Sequence, residues 1–278
     1  MPSFLVGVTI VAVGTSLPEL TSSVLAVVEG ASEIVAGNVV GSNIANLLLV
    51  LGLAAIIDGH MRVKFELVHV DLPFLAGSAF FLALVLWDGR VGPLESVLSL
   101  VGLGIYLWYA LCGRPQFEAE AASDLQTPRP AWLRTGLILL GSAGLIYFGA
   151  DYTVLAAVEV AGAIGMGPEL IAASVIALGT SLPELAVTVS AARRGRTELA
   201  VGNVLGSNVF NSFAVIGVSG LVGPLAVPDS ITDYAVPVMV IATLLAFFMI
   251  MEKEMTKWEG WLLILFYATF IGSLLNLM

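Results

Sequence analysis

The sequence predicts an all-α polytopic membrane protein made of two inverted-topology repeats of five helices each, with the first helix absent from the chain. Of its 278 residues, 58% are apolar and only 12% are charged, and the mean hydropathy is +0.99. Soluble domains carry about 25% charged residues. Apolar stretches of the length that a helix needs to cross a bilayer recur along the chain, and one polar block occurs twice. An ordinary soluble domain is thereby excluded.

Nine spans are predicted, and the positive charges orient them. The spans cover residues 4–28, 34–57, 70–87, 91–112, 136–162, 168–192, 198–222, 233–251 and 258–277. If loop 29–33 lies outside, ten of the eleven Lys and Arg residues fall inside and only Arg90 falls outside. The positive-inside rule then places the N-terminus in the cytoplasm and the C-terminus outside.

The domain organisation follows from these spans. Residues 1–112 form the first repeat, 113–135 a cytoplasmic linker and 136–278 the second repeat. Because the linker is too short for a regulatory domain, we expect a compact multi-pass protein of a microbial cell (inner) membrane.

The internal repeat is the strongest signal. Residues 6–52 match residues 171–217 without gaps at an offset of 165, with 21 identities in 47 positions. Five spans separate corresponding helices, so the two copies cross the membrane in opposite directions. At this offset Met1 aligns with Met166, so the first helix of a five-plus-five design would precede residue 1. Three explanations for the absence of this helix remain open: a truncated sequence, a misassigned start and a real deletion. Inverted repeats are typical of secondary transporters with a midplane site.

Each copy places polar groups inside an apolar span. Pro18 and Pro183 have no N–H to donate, and so disturb the helix around them. Irregular backbone at this depth persists only when it is buried or lines an aqueous cavity. Residues four apart share a helix face, which groups the polar side chains as Thr15 with Glu19, Ser42 with Asn46, Thr180 with Glu184, and Ser207 with Asn211. Two helix pairs are therefore predicted to direct oxygens towards one centre.

Such a centre favours a hard cation. Carboxylate, hydroxyl, amide and carbonyl oxygens suit Ca²⁺ and also Na⁺, whereas Mg²⁺ dehydrates reluctantly. Glu19 and Glu184 carry two negative charges and no span contains Lys or Arg, so one divalent or two monovalent cations would neutralise the site. Without a cation, at least one carboxylate should bind a proton, so protons compete with the metal. One cysteine and two histidines disfavour a soft-metal cage.

Structural roles compete with this interpretation for some residues. Polar side chains also join membrane helices, and Gly37, Gly41, Gly202 and Gly206 have the spacing of close helix packing. Four asparagines are predicted equally as ligands or as donors to the ligands: Asn38, Asn43, Asn203 and Asn208. Because carboxylates are costly to bury inside a membrane, a functional role is favoured over a packing role for Glu19 and Glu184. No nucleic-acid footprint, covalent chemistry or cofactor is indicated.

The duplicated Gly-Thr-Ser-Leu-Pro-Glu and Gly-Asn-Val-x-Gly-Ser-Asn-x-x-Asn blocks resemble the α-repeats of the sodium/calcium exchanger family, within the calcium/cation antiporter superfamily. The resemblance implies that Glu19 and Glu184 are the central Ca²⁺ carboxylates. It further implies oxygen ligands from Thr15, Ser16, Thr180 and Ser181, main-chain carbonyl ligands at Ala12 and Ala177, and completion of the site by Ser42, Asn46, Ser207 and Asn211.

The expected function is therefore exchange of Ca²⁺ for Na⁺ across a lipid bilayer by alternating access. Several family members have aspartate at the position of Asn211, so Na⁺ stoichiometry does not carry over, and H⁺ or K⁺ coupling stays open. A non-transporting ion-binding fragment is a further alternative, because the family's first helix and its partner at 136–162 are implicated in the sliding motion. A channel is disfavoured by the paired acidic sites.

Overall fold

The computed structural model describes residues 11–63, 71–112 and 165–274, together with isolated helical positions between 145 and 163. Most of the predicted span 136–162 and the whole linker 113–135 lie outside the described residues. Within them the chain is helical, with two short β-ribbons.

The first half contains short helices, one π-helical segment and two strands. In order they are α1 (Ala12–Thr15), α2 (Leu17–Val28), α3 (Glu33–Ile44), a π-helical segment (Ala45–Val50), α4 (Leu51–Asp58), β1 (His60–Arg62), α5 (Leu72–Val85), β2 (Arg90–Val91) and α6 (Pro93–Cys112).

The second half repeats this order of elements. It comprises α7 (Pro168–Ile171), a π-helical segment (Ala172–Ile176), α8 (Ala177–Thr180), α9 (Leu182–Arg193), α10 (Thr197–Phe210), a π-helical segment (Asn211–Val215), α11 (Ile216–Val222), β3 (Leu225–Ala226), a π-helical segment (Ile231–Ala235), α12 (Val236–Met251), β4 (Glu254–Thr256) and α13 (Lys257–Leu274).

Several of these helices are long and apolar enough to cross a membrane. Four continuous ones qualify in the described part of the chain: Glu33–Asp58, Pro93–Ala110, Thr197–Val222 and Ile231–Met251. The helices Pro168–Thr180 and Leu182–Arg193 pass the same test only as a pair, which bends by 44° at its break and counts as a fifth span if the two cross the membrane as one. The predicted helical membrane fold is therefore confirmed, while the count of nine spans stays a prediction.

The helix breaks at the same point in both copies. Helix α1 ends at Thr15 and α2 begins at Leu17; α8 ends at Thr180 and α9 begins at Leu182. Pro18 and Pro183 therefore lie in the first turn of the following helix, where a missing N–H loses no hydrogen bond. The predicted disturbance of the helix is present in both copies, and in the second copy the helix axis bends by 44° between Thr180 and Leu182. The grouping of Thr15 with Glu19 on one helix face stays a prediction.

Two helices form the centre of the molecule. The Glu33–Asp58 and Thr197–Val222 spans are 78% and 83% buried, against 22% for Pro93–Ala110. Small residues allow this close packing. A side chain at Gly41 would overlap the backbone of Ala173, and one at Gly37 would meet the carbonyl oxygen of Glu169. These two glycines thus fit the predicted close-packing role.

The β-ribbons join loops from the two halves. Strand β1 pairs with β4, with His60 opposite Thr256, and β2 pairs with β3, with Arg90 opposite Ala226. In the predicted topology, both partners of the first ribbon lie inside and both partners of the second lie outside. A hydrogen bond of 2.9 Å from Thr197 to Asp58 joins the β1 loop to one further loop predicted inside. The relative sides of these loops agree with the predicted alternation of spans.

Gly41→Ala should lower the thermal unfolding temperature of the detergent-purified protein by several degrees. The added methyl group has to separate α3 from the backbone at Ala173, and overpacking of this kind destabilises by about 1–3 kcal/mol. The matched control is Gly77→Ala in α5, where nothing lies within 4 Å of the new methyl group and alanine favours the helix. Equal unfolding temperatures for the two variants would contradict the packing argument.

Candidate functional site

Two fully buried carboxylates lie at the centre of the candidate site. Glu19 is in the first turn of α2 and Glu184 in the first turn of α9, and both are 0% exposed. Each accepts a hydrogen bond from the opposite half: Ser181 Oγ lies 3.3 Å from Glu19 Oε1, and Ser16 Oγ lies 2.9 Å from Glu184 Oε1. Because each serine sits at one helix break and reaches the acid of the other half, the two acids belong to one site.

The threonines also bridge the halves. Thr15 Oγ1 lies 3.4 Å from Asn203 Oδ1, and Thr180 Oγ1 lies 3.3 Å from Asn38 Oδ1. Corresponding residues therefore make corresponding contacts.

The serines of the two central helices complete this ring of hydroxyls. Ser42 Oγ lies 3.4 Å from Thr180 Oγ1, and Ser207 Oγ lies at the same distance from Thr15 Oγ1. Ser207 also donates to Glu184 Oε1 at 3.3 Å. The structure thus brings the hydroxyl-bearing residues predicted from the repeat into one buried cluster.

Asn38 and Asn203 brace the acid-bearing helices. The amide nitrogen of Asn203 donates to Thr188 Oγ1 at 3.0 Å and lies 3.4 Å from the carbonyl oxygen of Glu184. That of Asn38 makes the same contact with Glu19 O at 3.4 Å. These bonds favour the donor alternative over the ligand alternative for both asparagines.

Asn38 contacts two side-chain hydroxyls that the sequence analysis did not single out, and Asn203 contacts a third in the other half. The amide nitrogen of Asn38 lies 3.2 Å from Ser22 Oγ and 3.1 Å from Ser23 Oγ, and Thr188 is the equivalent of Ser23 at the offset of 165. Ser23 and Thr188 occupy the same position in the aligned repeat and both carry a hydroxyl, and this correspondence was the signal that could have identified them.

Several buried oxygens of the site have no hydrogen-bond partner in the described part of the chain. They are Glu19 Oε2, Glu184 Oε2, Asn46 Oδ1 and Asn211 Oδ1, and the amide nitrogen of Asn211 also has none. Buried polar atoms are nearly always hydrogen-bonded, and an unsatisfied one is costly. Carboxylate and amide oxygens without partners, two from each half, are of the kind that a hard cation coordinates.

The main-chain carbonyls proposed as ligands already accept two bonds each. Ala12 O accepts from Ser16 N at 3.0 Å and from Thr15 Oγ1 at 3.2 Å. Ala177 O accepts from Ser181 N at 3.1 Å and from Thr180 Oγ1 at 3.3 Å. A carbonyl oxygen has two lone pairs, so coordination of a cation here requires the threonine hydroxyl to turn away.

The amide residues lie where the central helices widen. Asn46 belongs to the π-helical segment Ala45–Val50, and Asn211 begins the segment Asn211–Val215. Single π-helical turns inside α-helices are frequent at functional sites. Nothing in the amino-acid pattern predicted them.

The charge balance defines the kind of ligand. An exposed ion pair joins His60 and Glu254 at 3.1 Å, away from the buried carboxylates, and in the described part of the chain no three His, Cys, Asp or Glu side chains are grouped so that they could hold a metal ion. The buried site thus presents two carboxylates and neutral oxygens without a basic partner. A site of this chemistry between two similar membrane-embedded halves defines the class of cation transporters.

The chain belongs to the sodium/calcium exchanger family. The family model described as sodium/calcium exchanger protein matches residues 1–112 and 135–275. The sodium/calcium exchanger MaX1 of Methanosarcina acetivorans is 32% identical over 96% of this chain and 87% of its own length. The putative antiporter CaxA of Alkalimonas amylolytica is 33% identical over 96% of this chain and 86% of its own length.

A solved structure agrees with this membership. The sodium-calcium exchanger NCX_Mj, soaked with Na⁺ and Ca²⁺, superimposes with a TM-score of 0.74 and 29% identity, covering 98% of this chain and 86% of that one. The protein is therefore an integral membrane Ca²⁺/cation antiporter, from a family of transporters and not of enzymes.

Asn211→Ala should separate ion binding from folding. Its side chain makes no hydrogen bond in the described part of the chain, so the ion-free protein should unfold within a degree or two of wild type, while the Ca²⁺-induced rise in unfolding temperature shrinks. Asn203→Ala is the contrasting variant, because it removes the brace to Thr188; we expect a loss of about 1–3 kcal/mol without ions. Thermal unfolding with and without Ca²⁺ measures both. If the two variants are destabilised equally in the absence of ions, Asn211 has a packing role and not a ligand role.

Proposed function

We propose that the chain exchanges Ca²⁺ for Na⁺ by alternating access at the site between its two halves. The observation that carries this proposal is the pair of fully buried carboxylates, each bonded to a serine of the opposite half and each with a second oxygen that has no partner among the described residues.

The proposed ligand set follows the oxygens of the site. Glu19 and Glu184 supply the charge, and a serine hydroxyl that donates to a carboxylate still offers its lone pairs to a cation. The neutral ligands come from both halves: Ala12, Thr15, Ser16, Ser42 and Asn46, with Ala177, Thr180, Ser181, Ser207 and Asn211. Asn38, Asn43, Asn203 and Asn208 support these ligands, and Pro18 and Pro183 set the helix breaks that direct the serine hydroxyls into the site.

Charge neutrality explains why such a site exchanges ions. Two ionised carboxylates in a low-dielectric interior without a cation are strongly unfavourable. One Ca²⁺ or two Na⁺ cancel the charge, whereas the ion-free carrier retains negative charge unless protons bind both carboxylates. Reorientation is therefore favoured only when the site is loaded, which couples the movement of one ion to the return of the other.

The proposed alternating access rests on the internal repeat. The halves comprise residues 1–112 and 136–278, joined by the linker 113–135, and we infer that they cross the membrane in opposite directions. The β-ribbons support this arrangement, because each joins loops that the inverted topology places on the same side. With the N-terminus cytoplasmic and the C-terminus outside, the basic turn at Arg193, Arg194 and Arg196 lies on the cytoplasmic side of the inner membrane.

Glu19→Gln and Glu184→Gln should each abolish Ca²⁺ uptake into Na⁺-loaded proteoliposomes, because a neutral side chain leaves Ca²⁺ without its counter-charge. We expect a loss of more than about tenfold. The matched control is Glu252→Gln, which makes the same change in an exposed turn and should transport like wild type. ⁴⁵Ca²⁺ accumulation over the first seconds is the measurement.

The gradients imposed in the same assay identify the coupling ion. Uptake that requires an outward Na⁺ gradient supports Na⁺ coupling. Uptake driven by a pH gradient or by K⁺ in Na⁺-free vesicles replaces it with H⁺ or K⁺ coupling, and Ca²⁺ binding without uptake under any gradient supports the binding-only alternative. Wild-type uptake by either glutamine variant would overturn the site itself.

A further inference from the structure

The two amides at the widened helices differ although the repeat makes them equivalent. Asn46 corresponds to Asn211, and Asn43 to Asn208, at the offset of 165. Asn46 Nδ2 donates to Asn208 Oδ1 at 3.1 Å, which fixes the Asn46 side chain and leaves its Oδ1 unpartnered. The equivalent bond from Asn211 to Asn43 is not formed: neither side-chain polar atom of Asn211 has a partner in the described residues, and Asn43 Oδ1 has none either.

One hydroxyl group accounts for this difference. Asn208 Nδ2 lies 3.3 Å from the carbonyl oxygen of Asn43, and the mirror arrangement would direct Asn43 Nδ2 to the carbonyl oxygen of Asn208. Ser212 occupies that connection instead. Its hydroxyl donates to Asn208 O at 2.9 Å and accepts from Asn43 Nδ2 at 3.0 Å. The repeat equivalent of Ser212 is Leu47, which has no hydroxyl to do the same in the other half.

The surroundings hold this arrangement in place. Ser212 is 1% exposed and Asn43 and Asn208 are each 2% exposed, so water does not compete for these bonds. The amide nitrogen of Asn43 also lies 3.8 Å from Met239 Sδ. The amide nitrogen of Asn43 is thus engaged by Ser212 and Met239, and Asn43 does not bond Asn211 as Asn208 bonds Asn46.

We propose that Ser212 is a positioning residue that makes the two amide ligands of the cation site inequivalent. Asn46 is a fixed ligand, ordered before the cation arrives, whereas Asn211 is an adaptable ligand that becomes ordered when the cation binds. This inference rests on the proposed function, because it assigns roles within the proposed site. An adaptable ligand suits a site that accommodates two ions of different charge, since Ca²⁺ tolerates variable geometry.

The role of Ser212 predicts an unusual direction of effect. In Ser212→Ala, Asn43 Nδ2 is released to bond Asn208 O, and Asn43 Oδ1 becomes available to Asn211 Nδ2. Asn211 is then ordered in advance, like Asn46. Ordering a side chain before binding removes the entropy loss on binding, so Ca²⁺ should bind about twofold to tenfold more tightly. Simple loss of two hydrogen bonds would instead weaken binding.

The test is a Ca²⁺ titration by calorimetry of the detergent-purified full chain in Na⁺-free buffer. The variants are Ser212→Ala, Asn211→Ala, the double variant, and Ser78→Ala as the matched control. Ser78 is a buried serine that donates only within its own helix, to Leu75 O at 2.9 Å, and its replacement should leave the affinity unchanged. Ser212→Cys has nearly the size of serine and a weaker donor, and should shift the affinity in the same direction.

The outcomes separate the two proposals. Binding that disappears in Glu184→Gln supports the site, and binding that persists there contradicts the proposed function whatever Ser212 does. Given an intact site, tighter binding in Ser212→Ala that vanishes in the Asn211→Ala background supports the positioning role. Unchanged or weaker binding, or the same shift with Asn211 already replaced, would overturn it.

Discussion

The structure depends on the burial of two carboxylates, Glu19 and Glu184, in an apolar protein with no basic side chain in any predicted span. Such charge is tolerated only if cations or protons neutralise it and if hydrogen-bond donors surround it. The donors come from across the molecular centre, since Ser16 serves Glu184 and Ser181 serves Glu19. Each half is therefore incomplete alone, and the site exists only where the halves meet.

The fold supplies what this arrangement requires. The helix breaks lie at Ser16 and Ser181, whose hydroxyls reach the acid of the opposite half. Close backbone contact at Gly41 lets the central helix α3 approach the opposite half. The braces from Asn38 and Asn203 then hold each acid-bearing helix against its own central helix, so the polar cluster stays in register inside an otherwise apolar packing.

Much of this was predictable from the sequence because the repeat presents the site twice. The proline-containing blocks located the helix breaks to within two residues, and the cation preference followed from the oxygen chemistry of the polar side chains. The π-helical segments and the exact break points depend on tertiary packing that local sequence patterns do not encode. Ser212 illustrates the same limit. Comparison of the repeats draws attention to positions that are identical in both copies, whereas the two halves differ at a position where Ser212 is aligned with Leu47.

The measurement that tests the central claim most directly is Ca²⁺ affinity of the purified protein at increasing Na⁺ concentration, at constant ionic strength. If both ions neutralise the same pair of carboxylates, the apparent dissociation constant for Ca²⁺ should rise without limit as Na⁺ increases. A rise that levels off while Ca²⁺ remains bound would show that the two ions occupy separate sites, and would contradict the account.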